Sequence, residues 1–264
     1  MATPPPTAPD AAPGSLGDPL TCGEDHDANI RRALAYAPAH CGACIDYHML
    51  FPIRRGIGRV APVARDRADV IALVGGLVAA RAAGSGPIDI VVAGTADTQI
   101  PAACAHAAFV HGGAAFGRVR LAVLDACDTP LQLCRDFAAR HAIALTTHVV
   151  DLVASGPAFS ADILVHHSLI GFLPAEHHVA TLGKLAGWLK PGGRMVFSLS
   201  LKPPHMPGQE RHPEANGLIR AALEAGTLEI AEPRAVFEER MKRSEEHTSE
   251  LQSLAYLVCR LLLE

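Results

Sequence analysis

The sequence predicts an α/β fold, a parallel sheet with helices packed on both of its faces. Three observations lead there. From residue 87 onward, short continuous apolar runs alternate with amphipathic segments of helical period. The apolar runs are of strand length and stop at Gly, Asp or His, as in IDIVVAG (88–94). A Pro191-Gly192-Gly193 break separates the last helix of the series from its last strand. Strands that alternate with helices join by right-handed crossovers, so the sheet is expected to be parallel and buried on both sides.

The elements follow in order. IDIVVAG (88–94) is the first strand and 98–111 the first helix of the core. RVRLAVLDA (118–126) is the second strand, followed by TPLQLCRDFAARHA (129–142), a helix with Pro130 in its first turn, where no amide donor is needed. ALTTHVVDL (144–152) and ADILVHHSL (161–169) are the third and fourth strands. AEHHVATLGKLAGWL (175–189) is a helix ended by the PGG break, and RMVFSLSL (194–201) is the fifth strand. Residues 212–242 read mainly as the helix after it.

Ahead of this core, residues 1–20 are rich in Pro and Ala and are expected to be a disordered tail. Residues 21–86 are expected to form a helical cap or lid. DHDANIRRALAYA and ADVIALVGGLVAARAA both carry apolar residues three to four apart. Between them, CGACIDYHMLFPIRRGIG reads as irregular, punctuated by Pro52, Gly56 and Gly58.

Composition narrows the function. With 49% hydrophobic residues, the 264-residue chain can bury one sizeable core. A formal charge of −4 without a clustered basic face argues against a nucleic-acid partner. No apolar run approaches the roughly 18 residues of a membrane span. The start MATPPPTAPDAAPGS lacks the basic and apolar regions of a secretory signal. Seven scattered cysteines are then expected to be reduced thiols of a cytoplasmic protein. Only four of the 23 basic residues are Lys, a bias expected of a GC-rich bacterial genome.

In parallel sheets of this kind, ligands bind outside the carboxyl ends of the strands, where strand order reverses. Residues suited to binding fall at those ends. Gly94 permits a sharp turn and close ligand approach after the first strand, within Gly94-Thr95-Ala96-Asp97. Asp125, followed by Ala126, ends the second strand, where a carboxylate can accept both ribose hydroxyls. Asp151 and Leu152 follow the third, where a carboxylate can receive an adenine amino group. His166, His167 and Ser168 end the fourth. Each feature has an ordinary alternative, a turn glycine, a capping Asp or a packed His; their joint order carries the inference.

WLKPGGRMVFS (188–198) closely resembles the helix–PGG–strand segment of class I, Rossmann-like S-adenosylmethionine (SAM) methyltransferases. VVAGTADTQ resembles their cofactor loop. VLDACDTPLQLCRDFA resembles the acidic second-strand motif of a bacterial subgroup whose loop reads AG-x-AD. The resemblance covers about residues 40–200. It implies that Gly94, Thr95, Ala96 and Asp97 line the methionine part of SAM, with Asp125 and Ala126 at the ribose. Asp151 and Leu152 would then stand at the adenine, with His166 also at the cofactor. Ala96 departs from the general family, which has a second glycine there. The resemblance further implies that the pre-core segment is a lid, with Tyr47, His48 and Ser168 contacting a small-molecule acceptor. Candidate bases are His166, His167 and His48, with Asp46 and Tyr47 beside the last. No N-P-P-Y motif follows the fourth strand, which argues against methylation of nucleic-acid bases or protein amides.

Two other readings stand beside this one. The fold could bind a ligand or partner without catalysis. A dinucleotide oxidoreductase is disfavoured, because after Gly94 no glycine appears until Gly112, and a pyrophosphate needs G-x-G-x-x-G. HCGACIDYH also offers His40, Cys41, Cys44 and His48 to a metal. Structural zinc sites, however, usually pair one such elbow with a second, distant ligand pair, and the sequence shows no second elbow. Small residues in a turn, with no metal, are therefore expected.

The C-terminus reads differently from the rest. RSEEHTSELQS (243–253) resembles the translation of a short-read sequencing adapter, and LVCRLLLE (257–264) resembles its downstream part in the same frame. Leu254-Ala255-Tyr256 fit the sample index between the two. On this reading residues 243–264 are not native and are left out of fold reasoning. The methyltransferase domain over 87–242 is then expected to be truncated, lacking sixth and seventh strands and leaving the fifth strand's edge exposed.

Overall fold

The computed structural model describes Leu16 and residues 26–56, 63–154, 156–198, 211–230 and 232–243. The expected N-terminal tail apart from Leu16, the adapter-like residues 244–264 and the end of the fifth strand at 199–201 lie outside the described residues.

Five parallel strands form one sheet in the order β3-β2-β1-β4-β5. They are β1 (Ile88–Ala93), β2 (Val119–Asp125), β3 (Leu145–Val149), β4 (Ala161–His167) and β5 (Leu189–Ser198). Three helices come before the sheet: α1 (His26–His40), α2 (Ile45–Gly56) and α3 (Val63–Ala82). The crossovers hold α4 (Gln99–Gly112), α5 (Asp128–His141) and α6 (His178–Gly187), and α7 (Arg211–Glu224) comes after β5. The strand order reverses between β1 and β4, which places a crevice at their carboxyl ends.

Side-chain alternation along β1 shows how the sheet is covered. Ile88, Ile90 and Val92 pack with α3, α4 and α5, through Val74, Cys104 and Phe137 among others. Val91 and Ala93 face the other way, toward Leu185 of α6 and Trp188. This is the period-2 pattern of a strand buried on both faces. The α/β class and the helices on both faces are as the sequence predicts.

A third cluster stands apart from the sheet. Leu34 and Ala37 of α1 and Met49, Leu50 and Ile53 of α2 pack with Ile219 of α7 and with Phe237 and Met241 of a helix at 234–243. The expected 21–86 cap therefore divides: α3 belongs to the sheet layers, while α1 and α2 share a core with residues from beyond β5. Asp46 of α2 accepts from Arg240 Nη1 at 2.7 Å, which ties α2 to the helix at 234–243. Leu16, in the expected tail, is buried against the sheet layers, and its carbonyl lies 2.6 Å from His106 Nδ1.

Three local expectations need correction. The segment expected to be irregular contains helix α2. Met49, Leu50 and Ile53 lie on one helical face, and their burial outweighs the break expected of Pro52. The PGG break lies inside β5 and not ahead of it. Leu189 pairs with Ala161 and Arg194 with Ile163, so Lys190–Gly193 form a bulge in the strand. Gly192 has φ +75° there, and a Cβ on Gly193 would lie 2.9 Å from the Ala161 carbonyl oxygen, so only glycine fits. The single helix expected over 212–242 is two, because α7 stops at Gly226 (φ +67°) and the chain restarts at 234. Among the described residues no strand follows β5, and Phe197 on it is 56% exposed.

Candidate functional site

The carboxyl ends of β1, β2 and β3 meet at Asp125. Gly94 leaves β1 with φ +74° and donates its N–H to the Leu124 carbonyl at 2.7 Å, the last rung between β1 and β2. Thr95 N–H then donates to Asp125 Oδ2 at 3.0 Å. Cys127 N–H donates to Asp125 Oδ1 at 2.8 Å, and Val150 N–H to the Asp125 carbonyl at 2.8 Å. Each carboxylate oxygen has thus accepted one backbone donor and retains acceptor capacity. Burial raises the Asp125 pKa above the ordinary value, against the two N–H bonds and the positive His48, which lower it.

The rest of the first loop is self-supporting. Thr95 Oγ1 donates to the Asp97 carbonyl at 2.5 Å, and the buried Asp97 carboxylate accepts Gln99 N–H at 2.9 Å at the start of α4. A Cβ on Gly94 would stand 2.7 Å from Leu169 Cδ1, so the loop passes directly under the chain leaving β4. Ala96 is half-buried beside it.

Other expected residues are placed less specifically. Asp151 is exposed, and its Oδ1 accepts Val153 N–H at 2.8 Å, the ordinary work of a turn-forming Asp; Leu152 is buried in the second core cluster. Ala126 is exposed. Ser168 adopts φ +53°, uncommon for a residue with a side chain, and donates its N–H to the Ser198 carbonyl at 3.1 Å. His167 is half-buried.

His166 is only 1% exposed, lies parallel to Phe197 with ring centres 5.1 Å apart, and has no partner for either ring nitrogen. Burial first, and the neighbouring His167 second, lower its pKa to about 4, so the ring is neutral at pH 7. An apolar recess of about 350 Å³ lies between Val70 and Leu73 of α3 and Val196, Phe197 and Ser198 of β5.

The cap reaches these strand ends at three points. Asn29 Nδ2 of α1 donates to Thr98 Oγ1 at 2.8 Å in a buried contact after β1. Tyr47 of α2 packs edge-on against Phe172 after β4, with ring centres 5.4 Å apart. His48 is buried at the end of β2, with Nδ1 3.3 Å from Cys41 Sγ. Burial alone would lower its pKa, but hydrogen bonds to Cys127 and Cys44 outweigh this and raise it to about 9. The Cys127 thiol is held below its ordinary value, first by the hydrogen bond from Cys41 and then, against burial, by His48.

The contact to Cys127 was not legible in the sequence. The HCGACIDYH segment offers Cys41, Cys44 and His48, and the fourth member is a single cysteine on the far side of β2, not a second elbow. His40, the other side chain that the segment offers, instead pairs with Asp128, its Nδ1 3.3 Å from Oδ2.

No protein-family model matches the sequence, and no curated protein does. Among solved structures the chain is similar to an O-methyltransferase family protein from Burkholderia thailandensis, at 15% identity and TM-score 0.45, over 67% of this chain and 55% of that one. It is also similar to the N-methyltransferase NodS from Bradyrhizobium japonicum WM9 in complex with S-adenosylhomocysteine, at 16% identity and TM-score 0.35, over 52% of this chain and 61% of that one. A third similarity is to the mitomycin 7-O-methyltransferase MmcR, at 15% identity and TM-score 0.38, over 74% and 58% of the two chains. This chain thus spans just over half the length of the Burkholderia protein.

Proposed function

We propose that the chain is a SAM-dependent methyltransferase acting on a small-molecule acceptor. The observation that carries the reading is the strapping of the Gly94 loop to Asp125, at the reversal point of a parallel 3-2-1-4-5 sheet. The positive φ of Gly94 permits the sharp turn that brings the loop to Asp125, and its missing Cβ leaves room for Leu169. Asp125 retains the acceptor capacity that ribose hydroxyls would fill, and the unpartnered nitrogens of His166 leave donor and acceptor capacity for a bound molecule. SAM also needs no phosphate cradle, and the loop offers none.

When bound, SAM supplies an electrophilic methyl group on its sulfonium. The chain's own residues then hold and orient. Gly94, Thr95, Ala96 and Asp97 form the loop against which the methionine part would lie, Asp125 and Ala126 the ribose site, and Asp151 with Leu152 the adenine end. Tyr47 and Ser168 would border the acceptor, and the cap would exclude water. His166, neutral at pH 7, is a hydrogen-bonding group for the acceptor and too weak a base to deprotonate it fully. His167 remains the base candidate nearer solvent, and His48 is turned toward Cys41, Cys44 and Cys127 instead.

Titration calorimetry with SAM and, separately, NADH tests the proposal. SAM binding in the micromolar range, with no NADH heat, is expected. NADH binding without SAM binding would overturn it in favour of an oxidoreductase. SAM binding without methyl transfer to any of a panel of hydroxyl, amine and thiol acceptors would leave a binding domain.

A further inference from the structure

We infer that Cys41, Cys44, His48 and Cys127 form a structural zinc site that staples the helical cap to the carboxyl end of β2. Their four donor atoms all lie within 4.8 Å of one another. Cys41 Sγ is 3.3 Å from His48 Nδ1 and 3.4 Å from Cys127 Sγ. A tetrahedral ion with bonds of about 2.3 Å to sulfur and about 2.0 Å to nitrogen needs its ligands roughly 3.5–3.8 Å apart. The observed spread brackets that range, so adjustments of about 1 Å or less close the set around an ion.

The local chain is built to hold these groups. Cys41 follows the end of α1, Cys44 precedes α2, and His48 lies in the first turn of α2. The tight connection is fixed by Ile45 N–H donating to the Gly42 carbonyl at 3.2 Å and His48 N–H to the Cys44 carbonyl at 3.1 Å. The result is a C-x2-C-x3-H elbow. Cys127 approaches from the opposite side, in extended backbone just before α5. Around the donors, Thr129 Oγ1 lies 2.9 Å from Cys41 Sγ, and the Cys127 thiol points at the His40 carbonyl at 3.9 Å.

The donor set selects the ion. Three thiolates and an imidazole are soft ligands that favour zinc over magnesium, calcium or manganese. Four protein ligands fill a tetrahedron and leave no open position, so the site is structural and not hydrolytic. On binding, the protons held by the three cysteines and by the His48 ring pass to solvent, and three sulfur lone pairs and one ring-nitrogen lone pair go to the metal; the zinc stays divalent, and nothing is oxidised or reduced. Among the described residues this is the one group of three or more metal-ligating side chains. The sequence reading missed it because the fourth ligand stands 79 residues beyond His48, with no partner cysteine of its own to mark it.

The consequence is positional. Cys127 lies two residues beyond Asp125, so the metal would tie α1 and α2 to the turn that carries the candidate ribose-binding carboxylate. The inference does not depend on what that carboxylate binds.

The full chain, expressed in zinc-supplemented medium, should contain about one zinc per chain by plasma mass spectrometry. After chelation, Co(II) should give thiolate-to-cobalt charge-transfer bands and strong tetrahedral visible bands, which Zn(II) then bleaches. His48→Ala and Cys127→Ser should each weaken metal binding at least tenfold, whereas His48→Cys, which keeps four ligands, should restore it. Cys104→Ala, outside the cluster, should leave metal content unchanged. A wild-type chain that is folded by circular dichroism but takes up neither ion overturns the site. So does stoichiometric zinc that survives both Cys127→Ser and His48→Ala, or a Cys41–Cys127 disulfide isolated under air in a metal-free chain.

Discussion

The Cys127 backbone N–H donates to Asp125 Oδ1 over 2.8 Å, so one turn carries both the thiol that faces the cap and the carboxylate that ends β2. Thr95 N–H holds the other oxygen of the same carboxylate. Asp125 is therefore fixed from two sides before any ligand arrives. Fixed acceptors bind more tightly than mobile ones, because no ordering cost is left for the ligand to meet.

Asp125→Asn should weaken SAM binding by about 10- to 100-fold, the range of a lost hydrogen bond to a charged group. The amide has nearly the shape of the carboxylate, but its nitrogen cannot accept both a backbone N–H and a hydroxyl. Calorimetry on the variant, with its melting temperature as a control for folding, separates lost affinity from lost structure. Unchanged affinity would remove Asp125 from the site.

Gly94→Ala should destabilise the chain by about 1–3 kcal/mol, the cost of holding a side chain in a left-handed conformation plus the contact with Leu169. The two costs can be told apart. Adding Leu169→Ala removes the contact at 2.7 Å but not the backbone strain, so the double variant should recover only part of the lost melting temperature relative to Leu169→Ala alone. Full recovery would mean that the positive φ is not required there.

The opposite end of the sheet carries an ion network that should govern acid stability. Lys190 Nζ, in the β5 bulge, lies 2.6 Å from Asp89 Oδ2 and 2.7 Å from Asp162 Oδ2, and Arg120 also pairs with Asp89. Partial burial alone would raise both carboxyl pKa values. For Asp89 the Arg120 and Lys190 bonds outweigh it, and for Asp162 the Asp89 N–H and Lys190 do; both pKa values are lowered. Groups with depressed folded pKa values stabilise above their unfolded value of about 3.9, and that stabilisation is lost as pH falls through the folded values. Lys190→Met should cost about 1–3 kcal/mol near pH 7 and flatten the stability curve below about pH 4, as read by urea melts across pH.

The fold was legible because its signals are local. IDIVVAG (88–94) and RVRLAVLDA (118–126) show buried strands in their own residues, and Gly94 and Asp125 fall at strand ends by position alone. What sequence could not show are relations between distant segments. The bulge at Lys190–Gly193 depends on the Ala161 carbonyl that crowds Gly193. Helix α2 forms despite Pro52 because Ile219 and Phe237, far along the chain, complete its core. Cys127 joins the HCGACIDYH elbow only through the topology that sets the end of β2 beneath the cap. Asp151, exposed at a strand end, uses Oδ1 to accept Val153 N–H, a local contact that its position in the sequence does not show.

His166 should leave a signature at mildly acid pH. Its ring is buried with both nitrogens unpartnered, and burial followed by the charge of His167 lowers its pKa to about 4. The unfolded chain, with a histidine near 6.5, binds more protons than the folded one between those values. Stability is then fully present above about pH 6.5 and falls as pH drops toward 4. The loss from this one ring should be about 1–3 kcal/mol, smaller than the full shift implies if local opening admits water. His166→Phe keeps a flat ring against Phe197 and removes the titration, so its stability should stay level between pH 6.5 and 4 relative to wild type. It also fills the space without the nitrogens that a ligand would use. The variant should therefore be at least as stable as wild type at pH 7 while losing methyl transfer, if His166 contacts the acceptor. A variant that kept both activity and the wild-type acid limb would show that the ring is core packing alone.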